Sequence, residues 1–362
     1  MTDADSISTA PLLTVAIPTW NRAAYLEKGL NQLRSELSSV APDLVEVLVS
    51  DNCSPDSTPA VVYEAIRSGL PIRYVRNQEN LGWSPNFVKC FDLARGKYVA
   101  LFGDDDLFVD GTLPMLLDRL LGGNYGVVCL RPYGFDDDFR REHPGGSGRE
   151  HEFHDPNQFL VAISRYFTLT SACVLNKSLL SGVDSREFVG TDLATFHLML
   201  RAALAAEKNL FIDKYLVASK RQNSFGYEYA KVFVDALWRI IDAQVAHGLS
   251  RDAVHAIERD KMLSYYPFYI LDQRLSRRGD LQVTHEQFAS RFEGRWLFKY
   301  WLEPTIRLPR PLAILWGAAT TFIGRAASGD LRRGIMFGWN RLTRSFARKR
   351  RGPGALAEFP LS

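Results

Sequence analysis

Three consecutive carboxylates, Asp104, Asp105 and Asp106, close the stretch VALFGDDDLF (99–108) directly after an apolar run. Like charges side by side repel, and they do so more strongly where water is scarce. Carboxylates do not bind phosphate, but they hold hard divalent cations, and those cations bind diphosphates. A cation placed in this way neutralises a departing diphosphate and orients it. The triplet therefore points to Mg²⁺ or Mn²⁺ as a cofactor and to a diphosphate as the ligand. Further polar residues punctuate the preceding chain: Thr19 and Asn21, Asp51 and Asn52, and the run Asn77 to Gly82. Each one alone has an explanation in turn chemistry.

The elements that carry these residues alternate. LLTVAIPT (12–19), VEVLVSDN (45–52), IRYVRN (72–77) and KYVALF (97–102) read as buried strands. Between the first two, Leu26, Leu30, Leu33 and Leu37 recur at helical spacing, with Asn21 as the expected cap. The next helix has Thr58 as its expected cap, Pro59 at its first position and Gly69 as its stop. A third helix begins at Ser84-Pro85. The β-α-β-α-β-α-β order predicts a mostly parallel, Rossmann-like sheet with helices on both faces. Such sheets bind ligands outside the carboxyl ends of their strands, and all the polar punctuation falls at that edge. Neither GxGxxG after the first strand nor GxxxxGK[ST] occurs, which disfavours a dinucleotide dehydrogenase or a P-loop enzyme.

TVAIPTWNRAAYL, VLVSDNCSPDST, IRYVRNQENLGWSPNF and ARGKYVALFGDDDLF together resemble family 2 glycosyltransferases of the GT-A fold. NLGWSPNF followed by LFGDDD is most similar to the abequosyltransferase-like branch, which acts in O-antigen and related polysaccharide assembly. The resemblance is dense over residues 12–112 and thins beyond. It implies that Pro18 and Thr19 line the nucleobase pocket, with Asn21 beside it, and that Asp51 contacts the base or ribose. It implies that Asn80 and Gly82 form a loop near the nucleotide. Asp104 to Asp106 match the DXD-type element, with Asp104 towards the ribose and Asp106, together with Asp104 or Asp105, towards the metal. The family's base is a carboxylate at a helix start, often in an ED pair. No such pair occurs in FVGTDLATFHLMLRAAL (188–204), where Asp192 is the first candidate and His197 the second.

The rest of the chain yields less. Asp136 to Asp138 open a polar, Gly-rich segment (136–155) expected to be a solvated loop, and its His143, His151 and His154 fit no strong zinc spacing. Residues 123–135 and 168–180 read as further strands, and 159–167 as a helix between them. LVASKRQNSFGYEY (216–229) is a candidate lid, with Lys220 and Arg221 within reach of a diphosphate. From about 230 the pattern is helical. Residues 331–351 carry eight Lys or Arg and no acid, interleaved with Trp and Phe. That composition suits an anionic membrane surface better than nucleic acid, for which no module is recognisable. The apolar run PLAILWGAATTFIG (311–324) is too short to span a bilayer.

The composition agrees with this reading. The chain has 362 residues, 46% hydrophobic and 23% charged, with a net charge of +3, which is ordinary globular composition. The four cysteines lie in no metal spacing and read as reduced thiols of a cytoplasmic protein. The N-terminal residues lack the pattern of a signal peptide. The expected organisation is a GT-A domain over 10–228, with a nucleotide-sugar half (10–112) and an acceptor half (113–228). A helical region follows over 229–352, its membrane-interface segment at 295–351. The expected partners are a nucleotide-diphosphate sugar, a lipid-linked saccharide and the inner face of the cell membrane, with no nucleic acid. A non-catalytic GT-A binder is the competing reading, favoured by the missing ED pair. A nucleotidyltransferase would need a Gly-rich basic loop where PTWNRAAYL stands, and a processive synthase would need QxxRW and spanning helices.

Overall fold

The computed structural model describes residues 10–221, 229–277 and 279–327. Its first half follows the expected alternation. β1 (Leu13–Thr19), α1 (Ala23–Leu37), β2 (Val45–Asp51), α2 (Thr58–Arg67), β3 (Ile72–Arg76), α3 (Trp83–Leu93) and β4 (Tyr98–Leu101) succeed one another. β3, β2, β1 and β4 lie side by side in that order, all parallel. The steps from β1 to β2 and from β2 to β3 run in one direction, and the step from β3 to β4 runs back. Right-handed crossovers therefore put α1 and α2 on one face and α3 on the other. α1 packs on α2, and α3 packs on β1, β2 and β4. With both faces covered, β1 and β2 are apolar almost throughout: Leu13, Val15, Ile17, Val45, Val47 and Val49 are all buried. On α1 the leucine stripe does the same, with Leu26, Leu30 and Leu33 in the core. Each such side chain contributes about 2 kcal/mol by leaving water.

Beyond β4 the sheet is mixed rather than mostly parallel. β5 (Leu107–Phe108), α4 (Thr112–Gly122), β6 (Val127–Phe135), β7 (Glu150–Phe153), α5 (Pro156–Ala162), β8 (Cys173–Asn176), α6 (Phe196–Ala205) and β9 (Asn209–Lys220) complete the unit's sheet and its flanking helices. The strand order continues β4-β8-β6-β9-β5, with β7 on β9. β8 runs antiparallel to β4 and β6, and β5 and β7 run antiparallel to β9. The turn 102–106 is too short for the crossover of a dozen or more residues that a parallel neighbour of β4 needs, so β5 pairs with β9 instead.

Several local expectations are corrected. Asn21 does not cap α1: it adopts a left-handed φ of 55°, and the Ala23 N–H donates instead to Asp56 Oδ2 at 2.9 Å. Thr58 is the first residue of α2 rather than its cap, and its N–H and hydroxyl both donate to Asp56 Oδ1. Gly69 ends that helix at a φ of 89°, where a side chain would be strained. The loop expected over 136–155 contains β7, and the first part of the candidate lid, Leu216 to Lys220, is the end of β9. The remainder of that lid, 222–228, and the basic segment 331–351 lie outside the described residues.

The chain divides into two compact units, one up to Ile257 and one from Glu258. The first unit ends through α7 (Leu237–Ala243) and most of α8 (Arg251–Asp260). The second contains α9 (Tyr266–Ser276), α10 (Leu281–Phe292), α11 (Glu303–Arg307) and α12 (Arg310–Ala327). Its core is aromatic: Tyr266 meets Phe288 edge-on at 4.9 Å, and Phe292 and Phe298 are buried with them. Arg274 donates to the carbonyls of Thr305, Ile306 and Leu308, satisfying the carboxyl end of α11.

One buried acid joins elements in the first unit. Glu36, in the last turn of α1, accepts from the N–H groups of Gly111 and Leu113, each at 2.8 Å, and so caps α4. Replacing Glu36 by Ala leaves the buried Leu113 amide and the exposed Gly111 amide without their acceptor, at a cost of about 2 kcal/mol. We expect a melting temperature lowered by several degrees. A variant that melts like the wild type would contradict this role.

Candidate active site

β1 and β4 are neighbours whose following connections leave in opposite directions, so a crevice opens beyond their carboxyl ends. The aspartate triplet occupies it. Thr19, the last residue of β1, donates from its hydroxyl to Asp104 Oδ2 at 2.8 Å. Arg22, just before α1, bridges the triplet: Nε lies 3.3 Å from Asp104 Oδ1, and Nη2 lies 2.6 Å from Asp105 Oδ2. Asp104 and Asp106 are buried, whereas Asp105 is the half-buried member. Asp106 turns inward, where the hydroxyls of Ser171 and Ser219 and the N–H of Lys220 donate to it.

Asp104 and Asp105 thus share the Arg22 guanidinium, while Asp106 lies beside them. Burial, with Asp105 and Asp106 adding to it against the pull of Arg22 and Thr19, raises Asp104 to about 7. Burial and the Asp105 charge raise Asp106 to about 6, although its three donors oppose the shift. Burial alone would lower Arg22, but Asp104 and Asp105 outweigh it and hold the guanidinium above its ordinary value. The cluster therefore concentrates negative charge at the end of β4. Hard oxygen donors gathered in this way fit a divalent cation. No group of three or more His, Cys, Asp or Glu converges on one point among the described residues. A cation here would take one or two carboxylates from the protein and the rest of its shell from phosphate and water, the mode usual for Mg²⁺.

The loops after β2 and β3 complete the edge. Asp51 is fully buried; its Oδ1 accepts from the Ser54 N–H at 2.8 Å and its Oδ2 from the Tyr74 hydroxyl at 2.6 Å, with Arg76 Nε 3.2 Å away. Asn52 donates to Asn80 Oδ1 (2.7 Å) and to the Gly82 carbonyl (3.0 Å) and accepts from Asn77 (2.8 Å). Asn77 in turn donates to Asn86 and accepts from Lys89. This web of side-chain amides holds the Asn80–Gly82 loop against β2. Gly82 itself has a φ of 85°. The β1 and β2 loops are tied together, since the Asn21 N–H donates to Ser54 Oγ at 3.0 Å. Pro18 is buried inside β1, and Trp20, 45% exposed, stands at the rim.

Asp192 lies in the turn before α6, not in its first turn, so no helix dipole acts on it as expected. The Trp83 indole N–H donates to its Oδ1 at 3.0 Å. Both residues line a cavity of about 50 Å³, with Phe167, Thr168, Thr170 and Leu193. His197 is wholly buried in α6, its Nε2 3.0 Å from the Asp184 carbonyl, and burial lowers it below its ordinary value. It is a packed, neutral histidine. Asp136 to Asp138 form a tight turn whose N–H groups all donate to Glu142, and Arg221 pairs with Asp136. His143 Nε2 sits 3.1 Å from the Tyr215 carbonyl. Arg22, Ser171, Asn86 and Trp83 were not singled out in the sequence. Trp83 and Asn86 stand at the start of α3, immediately after the NLG loop, which was the available signal.

The fold is that of the GT-A class. Residues 1–349 of Staphylococcus aureus TarS in complex with UDP align with a TM-score of 0.59 at 16% identity, covering 88% of this chain and 91% of that one. The same TarS segment in complex with UDP-GlcNAc aligns with a TM-score of 0.56 at 16% identity, over 88% of this chain and 92% of that one. Residues 14–183 match the model for Glycosyl transferase family 2. It is 28% identical to abequosyltransferase RfbV of Salmonella typhimurium, over 52% of this chain and 60% of that protein. It is 30% identical to GalNAc(5)-diNAcBac-PP-undecaprenol beta-1,3-glucosyltransferase of Campylobacter jejuni, over 56% of this chain and 63% of that one. The matches thus span somewhat less than two thirds of these curated relatives.

The raised Asp106 makes a testable statement about stability. Because its folded value of about 6 lies above its ordinary value of 3.8, its contribution favours the folded state at low pH and is lost as the pH rises through 6. With a chelator present, Asp106→Asn should melt above the wild type at pH 8, and the gap should narrow at pH 5 and close only below the ordinary value of 3.8, where the group is protonated in the folded and unfolded states alike. Thermal denaturation at both pH values checks this; a gap independent of pH would rule it out.

Proposed function

We propose that the protein is an inverting, metal-dependent glycosyltransferase. It moves one sugar from a nucleotide-diphosphate sugar to a lipid-linked saccharide in surface-polysaccharide or O-antigen-type assembly, at the inner face of the cell membrane. The observation that carries this is the triplet at the β1/β4 switch point, where Thr19 and Arg22 order Asp104 and Asp105 in a chain whose residues 14–183 match the family 2 model. The Campylobacter relative is named for an undecaprenol-linked acceptor, which supports the acceptor class.

The donor's nucleoside lies along the β1–β2–β3 edge. Pro18, Thr19, Asn21 and Asp51 border the base and ribose, Asn80 and Gly82 close that side, and Asp104 faces the ribose. Asp106, with Asp104 or Asp105, would hold Mg²⁺ or Mn²⁺, which supplies positive charge to the leaving diphosphate. The acceptor hydroxyl oxygen attacks the anomeric carbon from the opposite side. Asp192 takes its proton as the new C–O bond forms and the bond to the diphosphate breaks. Trp83 keeps Asp192 aimed by its indole hydrogen bond. One attack gives inversion at the anomeric carbon. The transferase portion is residues 10–228, and the basic segment 331–351 holds the protein on anionic lipid.

The base assignment is tested with whichever nucleotide sugar the protein turns over in the presence of membrane-extracted lipid acceptor. Asp192→Asn should lower turnover by about 10²-fold or more while leaving the donor's dissociation constant unchanged. Turnover within a few fold of the wild type would remove Asp192 from the mechanism. Tight donor binding with no transfer by the wild type to any acceptor would favour a non-catalytic nucleotide-sugar binder.

A further inference from the structure

α12 is built inside out. Its positions Ala313, Gly317, Thr320, Thr321 and Gly324 are buried, and all are small. They recur at intervals of three and four and form one face. That face is packed closely against its own unit: a Cβ on Gly317 would lie 2.8 Å from Thr305, and one on Gly324 only 2.1 Å from the Leu263 carbonyl. The opposite face carries the large apolar side chains. Leu312, Leu315, Trp316, Phe322 and Ile323 are exposed, Leu315 by 68% and Phe322 by 57%, with Ala318 and Ala319 between them. No charged residue occurs from 311 to 324. A helix resting on a protein in water turns its large apolar residues inward. An apolar face of this length, left outward, marks contact with another apolar phase.

We infer that the outward face of α12 is a bilayer-docking surface, with the helix lying in the plane of an anionic membrane. Charge complementarity selects lipid over a protein partner. The apolar face is bracketed by cations, Arg307 and Arg310 before it and Arg325 after it. The sequence then adds the eight Lys or Arg of 331–351 with no acid. Exposed Trp296, Lys299 and Tyr300 in the same unit have the composition of a headgroup interface. The helix is 18 residues long, about 27 Å, and no helix among the described residues is long and apolar enough to cross a membrane. A cationic segment alone holds a protein weakly, and a second, apolar signal makes the attachment stable. This deepens the membrane-surface part of the proposed function and is independent of the transfer chemistry.

The test uses the full chain and sedimentation with vesicles of phosphatidylcholine and phosphatidylglycerol, beside vesicles of phosphatidylcholine alone. Leu315→Glu/Phe322→Glu should lower the bound fraction on the anionic vesicles by about tenfold or more, with melting and nucleotide binding unchanged because both side chains are exposed. A dye on Leu315→Cys, in a Cys53→Ser background, should shift to the blue on vesicle addition. The inference is overturned if the double variant sediments like the wild type or the dye does not shift. It is also overturned if the wild type ignores vesicles and instead forms a dimer that the double variant loses. Failure here would leave nucleotide binding intact, whereas failure of the transferase reading would leave vesicle binding intact.

Discussion

The site rests on the confinement of three adjacent carboxylates at the end of β4, two of them paired with Arg22. Burying an anion without a full counter-charge is unfavourable. Here burial is enforced by the sheet, because Asp104 follows a central strand and Asp106 is enclosed by Ser171, Ser219 and the Lys220 backbone. Arg22 and Thr19 offset part of the cost, and the remainder shows in the raised values of Asp104 and Asp106. A cluster of this kind is preorganised to receive positive charge. Stability withheld at this point becomes affinity when a ligand brings that charge.

The surrounding frame holds the loops next to the cluster in place. Asp51 is held by a backbone amide, Tyr74 and Arg76 on its own side of the sheet. The amide web of Asn52, Asn77 and Asn86 spends its hydrogen bonds on the Asn80–Gly82 loop. Asn21 and Cys53 both hold left-handed backbone conformations in adjoining loops. Strain of this sort persists only where neighbouring contacts enforce it, and the Asn21–Ser54 hydrogen bond is one such contact.

The first hundred residues were legible because strands buried on both faces read as unbroken apolar runs, and their helices carry plain leucine stripes. The site edge was legible for the same reason, since a parallel sheet gathers its polar loops at one end. The second half was harder. β5, β7 and β8 are only two to four residues long, too short for a period to show, and they pair with strands distant in the chain. The partners of the site residues were out of reach as well. Arg22 meets Asp105 across 83 residues, and Trp83 meets Asp192 across 109. Asp192 was placed on a helix because the apolar period of α6 runs back past its true start at Phe196. The inside-out character of α12 was hidden, since its apolar run gives no sign of which face the small residues would bury.

The central claim is that the aspartate triplet receives a nucleotide diphosphate together with a divalent cation. The most direct measurement is calorimetric titration of the wild type and of Asp106→Ala with UDP, GDP, CDP and dTDP sugars, with and without Mn²⁺. The account predicts that one nucleotide class binds the wild type only when Mn²⁺ is present and does not bind the variant. Binding of equal strength without the cation, or in the variant, would contradict it.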